Sequence, residues 1–214
     1  MAKIQYEKMV SPTGIAVWPH LNSPDTKFDQ GGAGEYKVSV KLTEAAAQPV
    51  IDRLQKILDQ YQAEEISQNQ KVKQFTPRLP IEEEVDDQGN LTGNWLLKTK
   101  QKAQIQTNNG LVDMKVALFD AKRRPTNAEI GGGSIIKVAV TIVPYTMPSS
   151  KSVGISLRLS AVQVIHLLDY TSAGDGSMFS EEEGYTDETS EVASTFAKPP
   201  AEGDATIDYG DTDF

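Results

Sequence analysis

Long runs of alternating apolar and polar residues limit the fold of this chain more than any other feature of its sequence. The clearest run is residues 36–42, in which apolar and polar side chains take opposite faces of a predicted strand. The apolar face consists of Tyr36, Val38, Val40 and Leu42, and the polar face of Lys37, Ser39 and Lys41. Such a strand is typical of a sheet with one face on a core and the other in solvent.

Similar patterns predict further strands along the chain, at residues 13–18, 94–106, 111–119, 134–143 and 154–168. Asn109 and Gly110 separate two of these runs and predict a tight hairpin. In the last run the odd positions from Ile155 to Ala161 are apolar, and Arg158 lies among the small even residues.

A helical period occurs in one segment, where Val50, Ile51, Leu54, Ile57, Leu58 and Tyr61 form a single apolar stripe. Thr43 with Glu44 can start a helix, but Pro49 suggests that its regular part begins there, since proline suits a first turn. Residues 66–93 are mostly polar and contain two prolines, so we expect an irregular excursion.

Five or six strands with one helix and no strand–helix–strand alternation predict an all-β fold, a closed Greek-key barrel of the oligonucleotide-binding type. A β-sandwich is the competing architecture. The glycines at 131–133 precede a strand and predict a bulge or a tight crossing in such a barrel.

Charge divides the chain into two parts. The formal net charge is −9, yet residues 171–214 contain 12 acidic residues and only Lys198 as a base. Residues 1–170 carry a net charge of +2, and residues 91–170 one of +6. We therefore expect a folded domain at 1–170 and a disordered acidic tail at 171–214 that ends in Phe214, because few apolar groups and like charge cannot offset the entropy of ordering. A solubilising tail is the alternative.

The best local signal for nucleic-acid binding is a stripe of Lys98, Lys100 and Lys102 on one face of a predicted strand. Its ammonium groups would stand ~6.6 Å apart, which is close to the spacing of successive phosphates on a single strand. A solvated strand face is the alternative. Further cations on neighbouring predicted elements favour binding: Lys122, Arg123, Arg124, Lys137, Lys151 and Arg158.

Sequence-tolerant binding also needs aromatic platforms for the bases. Tyr145 shares strand parity with the polar face of its strand, so we interpret it as such a platform rather than as a core residue. Tyr36, Trp95 and Phe119 are expected in the core, and the pattern leaves Trp18 and Phe28 open between core and surface.

Composition gives little support for catalysis or cofactors. The chain has no cysteine and two histidines, so a thiolate or histidine metal site is not expected. The carboxylates at 82–87 are interpreted as a solvated surface, and no phosphate-binding loop or nucleophile arrangement is found. We expect no enzyme activity and no cofactor. Without a signal sequence or a membrane-spanning run, an intracellular soluble protein is expected.

The segment from Gly131 to Leu167, together with Gly-Glu-Tyr-Lys-Val-Ser-Val-Lys-Leu at 34–42 and an acidic end closing in Phe214, resembles the single-stranded DNA-binding proteins of the T-odd short-tailed phages. The most specific part runs from the triple glycine through Val143-Pro144-Tyr145 to the second long strand. Two positions depart from the family. No arginine precedes the 36–42 strand, and Met147 stands where the family has an aromatic residue.

The resemblance implies an oligonucleotide-binding fold and a homodimer that coats single-stranded DNA and anneals complementary strands. It implies action in replication, recombination and repair in the cytoplasm of the infected bacterium. Tyr145 would be the base contact and Lys3 a basic residue used in DNA handling. The tail, with Phe214, Asp213 and Asp211, would bind the phage DNA polymerase and the helicase-primase. An all-β interaction or virion-structural module, and a nuclease using the 82–87 carboxylates, are the competing functions.

Overall fold

The computed structural model describes residues 6–27, 32–108 and 110–168. The predicted tail, Lys3 and Phe28 lie outside these ranges. One α-helix is present in the described part of the chain, α1 at Glu44–Gln68, with short 3-10 turns at Gln70–Gln74 and Pro148–Ser150. The strands are β1 (Lys8–Val10), β2 (Gly14–Asp25), β3 (Glu35–Thr43), β4 (Thr76–Arg78), β5 (Ile81–Val85), β6 (Leu91–Lys102), β7 (Gln104–Thr107), β8 (Gly110–Asp113), β9 (Ala117–Phe119), β10 (Ile135–Met147) and β11 (Ser152–His166).

Five long strands close into a barrel in the order β2-β3-β6-β11-β10. The ring closes where β10 returns to β2, with Ile135 opposite Ile15 and Ile136 opposite Gly14. Only the β6–β11 contact is parallel within this ring. This is the connectivity of an oligonucleotide-binding barrel, which confirms the predicted fold class, and a β-sandwich is wrong because the sheet closes on itself.

The barrel interior follows the predicted alternation closely in β3 and β10. Tyr36, Val38, Val40 and Leu42 are buried, and so is the inward set on β10, Ile136, Val138, Val140 and Ile142. On β6 the inward positions after Leu97 are polar. Thr99 and Gln101 are buried there, and each donates a hydrogen bond to a backbone oxygen, so neither is left unsatisfied.

At the closure point, β2 and β3 approach so closely that residue 14 has no space for a side chain. A Cβ on Gly14 would overlap the Lys41 carbonyl oxygen and lie 2.6 Å from Cγ1 of Val40. The triple glycine lies against the same region, because the Gly133 amide donates to the Ala16 carbonyl and the Ala16 amide to the Ser134 carbonyl. Residues 131–133 thus form a turn next to the closure point, with Gly133 at a left-handed φ of 90°, and the close approach itself is at Gly14.

Helix α1 begins at Glu44, the earlier of the two starts that the sequence indicated, and is already regular before Pro49. Glutamate and three alanines at 44–47 are strong helix formers, and they outweigh the single hydrogen bond that Pro49 removes inside the helix. The apolar stripe packs as expected, with Val50, Leu54 and Leu58 buried against the barrel.

Residues 66–93 are not the irregular excursion that we predicted. The helix continues to Gln68, and β4 and β5 follow, with β5 forming a hairpin against β6. The pattern was misleading because β5 buries only Ile81 and otherwise carries carboxylates on a half-exposed edge. Its regularity comes from pairing with β6 rather than from an apolar face.

Two predicted strands are each divided in the structure. The 94–106 run ends as β6 at Lys102 and continues as β7, and the 111–119 run divides into β8 and β9. The breaks occur where Ala103 and Val116 turn into the core, and the Met114 amide donates to the Ala103 carbonyl. The hairpin predicted at 109–110 is confirmed by the β7–β8 register, in which Thr107 pairs with Gly110.

The parity of β11 reverses at a bulge, so the apolar odd positions from Ile155 to Ala161 do not all face inward. Ala139 pairs with Ala161 and Val140 with Leu159, so Ser160 is the additional residue. Beyond it, Val162 and Val164 are the buried residues, while Ala161 moves to the outer face.

Candidate nucleic-acid interface

A line of side chains crosses the outer face of the barrel from strand to strand. Its members are direct register partners: Lys8 with Thr141, Thr141 with Arg158, Arg158 with Lys100, and Lys100 with Lys37. We call these five residues the cross-barrel row. Adjacent strands lie about 4.8 Å apart, so four cations fall within about 20 Å on one continuous surface.

The predicted lysine stripe along β6 is also on this face. Lys98, Lys100 and Lys102 are exposed and alternate with the buried residues of the barrel interior. Lys100 belongs to the cross-barrel row as well, so the stripe and the row intersect there. The structure thus brings the three predicted lysines together with Arg158.

Several of these cations have carboxylate partners. Lys98 pairs with Glu82, and the Lys100 ammonium lies 3.4 Å from both Glu35 carboxylate oxygens. The carboxylates of β5, which the sequence suggested to be merely solvated, therefore neutralise part of the basic face. An incoming phosphate must compete with them, and exposed pairs of this kind hold their partners weakly.

Two further pairs are tighter and more sheltered. The Lys37 ammonium lies 2.5 Å from Oδ2 of Asp25, and the Lys41 ammonium lies 2.6 Å from Oε1 of Glu84. The hydrogen bond from Lys37 is the main cause that lowers the pKa of Asp25 below its ordinary value. The hydrogen bond from Lys41 has the same effect on the pKa of Glu84.

Arg158, Lys102 and Lys137 make no ion pair with any residue in the described ranges. Arg158 is exposed at the centre of the cross-barrel row, with Lys100 on one side and Thr141 on the other. Arg158 and Lys8 are therefore the cations of the row that can meet a phosphate without first giving up a described carboxylate.

The remaining predicted cations lie at the edges of the barrel. Asp120 organises the turn after β9 by accepting from the backbone amides of Lys122 and Arg124, and Arg124 also donates to it at 2.7 Å. Arg123 stands exposed in the same turn with a left-handed φ of 63°. Gln163, the register partner of Lys137, donates to the Ala121 carbonyl and so connects this turn to β11.

Lys151 occupies the turn between β10 and β11 at the opposite end of these strands from Lys137. The predicted cations thus form a central group around Arg158 and two outlying groups, at 122–124 and at 151. Lys3, Asp211, Asp213 and Phe214 lie outside the described residues.

Tyr145 is half-buried, and its ring covers the backbone of the neighbouring strand. It pairs with Gly154 in the β10–β11 register, and a Cβ at Gly154 would lie 2.8 Å from its hydroxyl oxygen. The glycine leaves space for the ring to lie on the sheet. Tyr145 keeps the outer-face parity of Lys137 and Thr141, as its sequence pattern predicted.

The other aromatic residues divide between interior and surface. Tyr36 is buried, and Trp95 is partly buried against the core, as expected. Phe119 is only half-buried. Trp18 is exposed to 80% in the middle of β2, a position that the sequence left open.

Sequence reasoning did not single out Lys8 or Lys37 as site residues. Lys37 was assigned to the polar face of β3, but its place beside Lys100 depends on the register of β3 with β6. Lys8 comes from a three-residue strand that is too short to predict by alternation. No local signal marks either residue as part of a row.

A closed five-stranded barrel with a cationic outer face defines the class of oligonucleotide-binding folds. The sequence model for the single-stranded DNA-binding protein of bacteriophage T7 matches residues 14–167, and this chain belongs to that family. It is 25% identical over 201 residues to the single-stranded DNA-binding protein of Enterobacteria phage T3, covering 85% of this chain and 87% of that one.

The crystal structure of the single-stranded DNA-binding protein encoded by bacteriophage T7 has the same fold. It superposes with a TM-score of 0.63 at 22% sequence identity, covering 86% of this chain and all of the T7 chain. No described helix of the present protein has both the length and the apolar character needed to cross a bilayer. Nor do the described residues include a group of three or more histidine or carboxylate side chains placed to hold a metal ion.

Proposed function

We propose that the protein binds single-stranded DNA across its barrel, with the phosphates following the cross-barrel row. The observation that carries this proposal is the direct register of Arg158 with Lys100 and of Lys100 with Lys37, since it joins cations of three strands into one line. A row of this kind fits the backbone of a nucleotide strand better than it fits a compact anion.

Binding would exchange carboxylates for phosphates. In the free protein Glu35 pairs with Lys100 and Glu82 pairs with Lys98, so a bound strand must displace these carboxylates. Arg158 and Lys8 would engage first because no described carboxylate pairs with either of them. Their phosphate contacts release counterions from the DNA, so the affinity should fall as salt is added.

Tyr145 would supply a platform for a base next to this path. Its ring already lies on Gly154, so one of its faces is supported by the sheet while the side chain remains half-exposed. Stacking on such a ring tolerates every base, which suits a protein that coats DNA regardless of sequence. Lys102 and Lys137 would contribute additional phosphate contacts near the row, and Lys151, Arg123 and Arg124 would do so from the edges of the barrel. We propose a role in DNA binding for Lys3 as well.

The domain at 1–170 would carry this activity, and the acidic segment at 171–214 would regulate it. We propose that the segment competes with DNA for the basic face and, once displaced, recruits the phage DNA polymerase and helicase-primase through Phe214, Asp213 and Asp211. Coating and annealing of single strands, homodimer formation and action in the cytoplasm of the infected bacterium belong to the same proposal. The opposite charges of the two segments support it.

Titration of a labelled oligo-dT tests the proposal, with full-length protein and a variant lacking 171–214 at two salt concentrations. We expect binding by both proteins, weaker at high salt, and tighter binding by the truncated protein at low salt. Absence of binding by either protein would refute the DNA-binding role. Equal affinities of the two proteins at low salt would refute only the proposed competition by the acidic segment, and the DNA-binding role would stand.

The proposed role requires no catalysis. Incubation of labelled single-stranded DNA with the protein and Mg²⁺ or Mn²⁺ should leave the strand uncut. Cleavage that disappears when Glu82, Glu83 and Glu84 are replaced by glutamine would favour a nuclease instead.

A further inference from the structure

Trp18 stands in a backbone conformation that tryptophan rarely adopts. Its φ is +49°, in the left-handed region, where a Cβ crowds the following carbonyl and glycine is the favoured residue. The cause is a bulge in β2. Val17 pairs with Ser39 and His20 with Lys37, so Trp18 and Pro19 together oppose Val38 alone.

Bulges of this kind normally place glycine at the left-handed position. Here the largest side chain in proteins occupies it and gains little burial in return, since Trp18 is exposed to 80%. Neither the backbone nor the hydrophobic effect explains its presence. Strain of this kind, held by the surrounding strands, is characteristic of positions that a binding function requires.

The bulge directs the indole outward beside the basic face. Its flanking residues pair with Ser39 and Lys37 on β3, and those two residues pair with Lys98 and Lys100 on β6. Trp18 therefore lies level with the interval between Lys98 and Lys100, about 10 Å from them across two strands. That distance brings it alongside a strand whose phosphates follow the cross-barrel row.

We propose that Trp18 is a second base-stacking platform, next to the Lys37 end of the row. This inference rests on the proposed DNA-binding function and adds to it a base contact on β2, beside the phosphates that Lys37 and Lys100 would bind. The bulge holds the indole ready for a base, so no rearrangement of β2 is needed on binding. An indole offers the largest stacking surface of the natural side chains.

The test uses the full-length chain with Trp18→Gly and Trp18→Phe, measured by oligo-dT binding and by urea unfolding. Glycine fits the left-handed position, so Trp18→Gly should unfold at a higher urea concentration than the natural protein. Its affinity should nevertheless fall about five- to a hundredfold through the loss of one stacked base. Trp18→Phe should keep most of the affinity.

Fluorescence provides an independent readout. In a Trp95→Phe variant Trp18 is the remaining tryptophan, and oligo-dT should quench its emission at a stoichiometry matching the binding curve. In Trp18→Phe, the partly buried Trp95 should respond little to the same addition. A quenched Trp18 together with an affinity loss on removal would establish the platform.

The outcomes separate this inference from the function on which it rests. If the natural protein binds oligo-dT but Trp18→Gly binds equally well, the platform is refuted and the binding function stands. If Trp18→Gly loses stability but keeps its affinity for oligo-dT, Trp18 has only a structural role. If the natural protein does not bind, both proposals fail.

Discussion

Arg158 on β11 is the direct register partner of Lys100 on β6, in the parallel contact of the barrel ring. The two cations lie on strands separated by more than fifty residues of sequence, and their charges are side by side on the outer face. Two like charges at this spacing repel each other in the free protein, so a phosphate between them relieves the repulsion as well as forming new contacts.

Replacing Arg158 with alanine should therefore weaken DNA binding more than the removal of one positive charge from another part of the protein would. We expect the slope of log affinity against log salt to become shallower by about 0.7, the value for one phosphate contact with a single strand. Oligo-dT titrations at several salt concentrations measure this slope. Lys56→Ala is the matched control, because Lys56 is an exposed cation on α1 and is not a member of the row. An equal change in both variants would contradict a specific role for Arg158.

Tyr145→Ala should lower the affinity by about 1–3 kcal/mol, the value of one stacked base. Tyr145→Phe removes only the hydroxyl and keeps the ring on Gly154, so its affinity should stay near that of the natural protein. Fluorescence anisotropy with oligo-dT measures both variants. Unchanged binding by Tyr145→Ala would show that the ring only packs on Gly154 and does not stack on a base.

Leu97→Ala should destabilise the barrel by about 2–5 kcal/mol, since the side chain is fully buried and its removal leaves a cavity. The control lies on the same strand, where Leu91 is 63% exposed and its replacement by alanine should change stability little. Urea unfolding followed by circular dichroism compares the two variants. Similar losses would show that β6 does not pack as described.

The Asp25–Lys37 pair predicts a pH dependence. Because the pKa of Asp25 is lowered in the folded protein, the stabilisation is fully present above the unfolded value of about 3.9 and disappears as the pH falls through the folded pKa. Asp25→Asn should therefore unfold more easily than the natural protein at pH 7, and the difference should shrink as the pH falls below about 3.9. Urea midpoints at pH 7 and through the acidic range measure the effect. Asp59→Asn, on the exposed side of α1, should show no such difference.

Local patterns determined much of the fold. The alternation at 36–42 fixed which side chains enter the barrel, and the helical stripe from Val50 to Leu58 fixed the face that α1 buries. Both depend on the transfer of apolar groups from water, which any strand or helix of that pattern must satisfy. The sequence also placed Lys98, Lys100, Lys102 and Tyr145 on outward positions, which the structure confirms.

The errors arose where a long-range contact overrules the local pattern. The β5 edge is a strand because β6 offers it hydrogen bonds, and β11 changes parity at Ser160 because the β10 register shifts there. The carboxylates at 82 and 84 looked solvated in the sequence, yet that pairing brings them to Lys98 and Lys41. Backbone hydrogen bonds between distant strands leave little trace in either partner's own sequence.

The sequence by itself thus determined an all-β barrel with one helix, a set of outward lysines and a strongly acidic end, because burial and net charge are sums over local residue types. Only the tertiary structure decided that Lys8, Arg158, Lys100 and Lys37 form one line and that Trp18 stands beside it on a bulge. Strand register sets these neighbours, and a shift of one residue would move each side chain to the other face of the sheet.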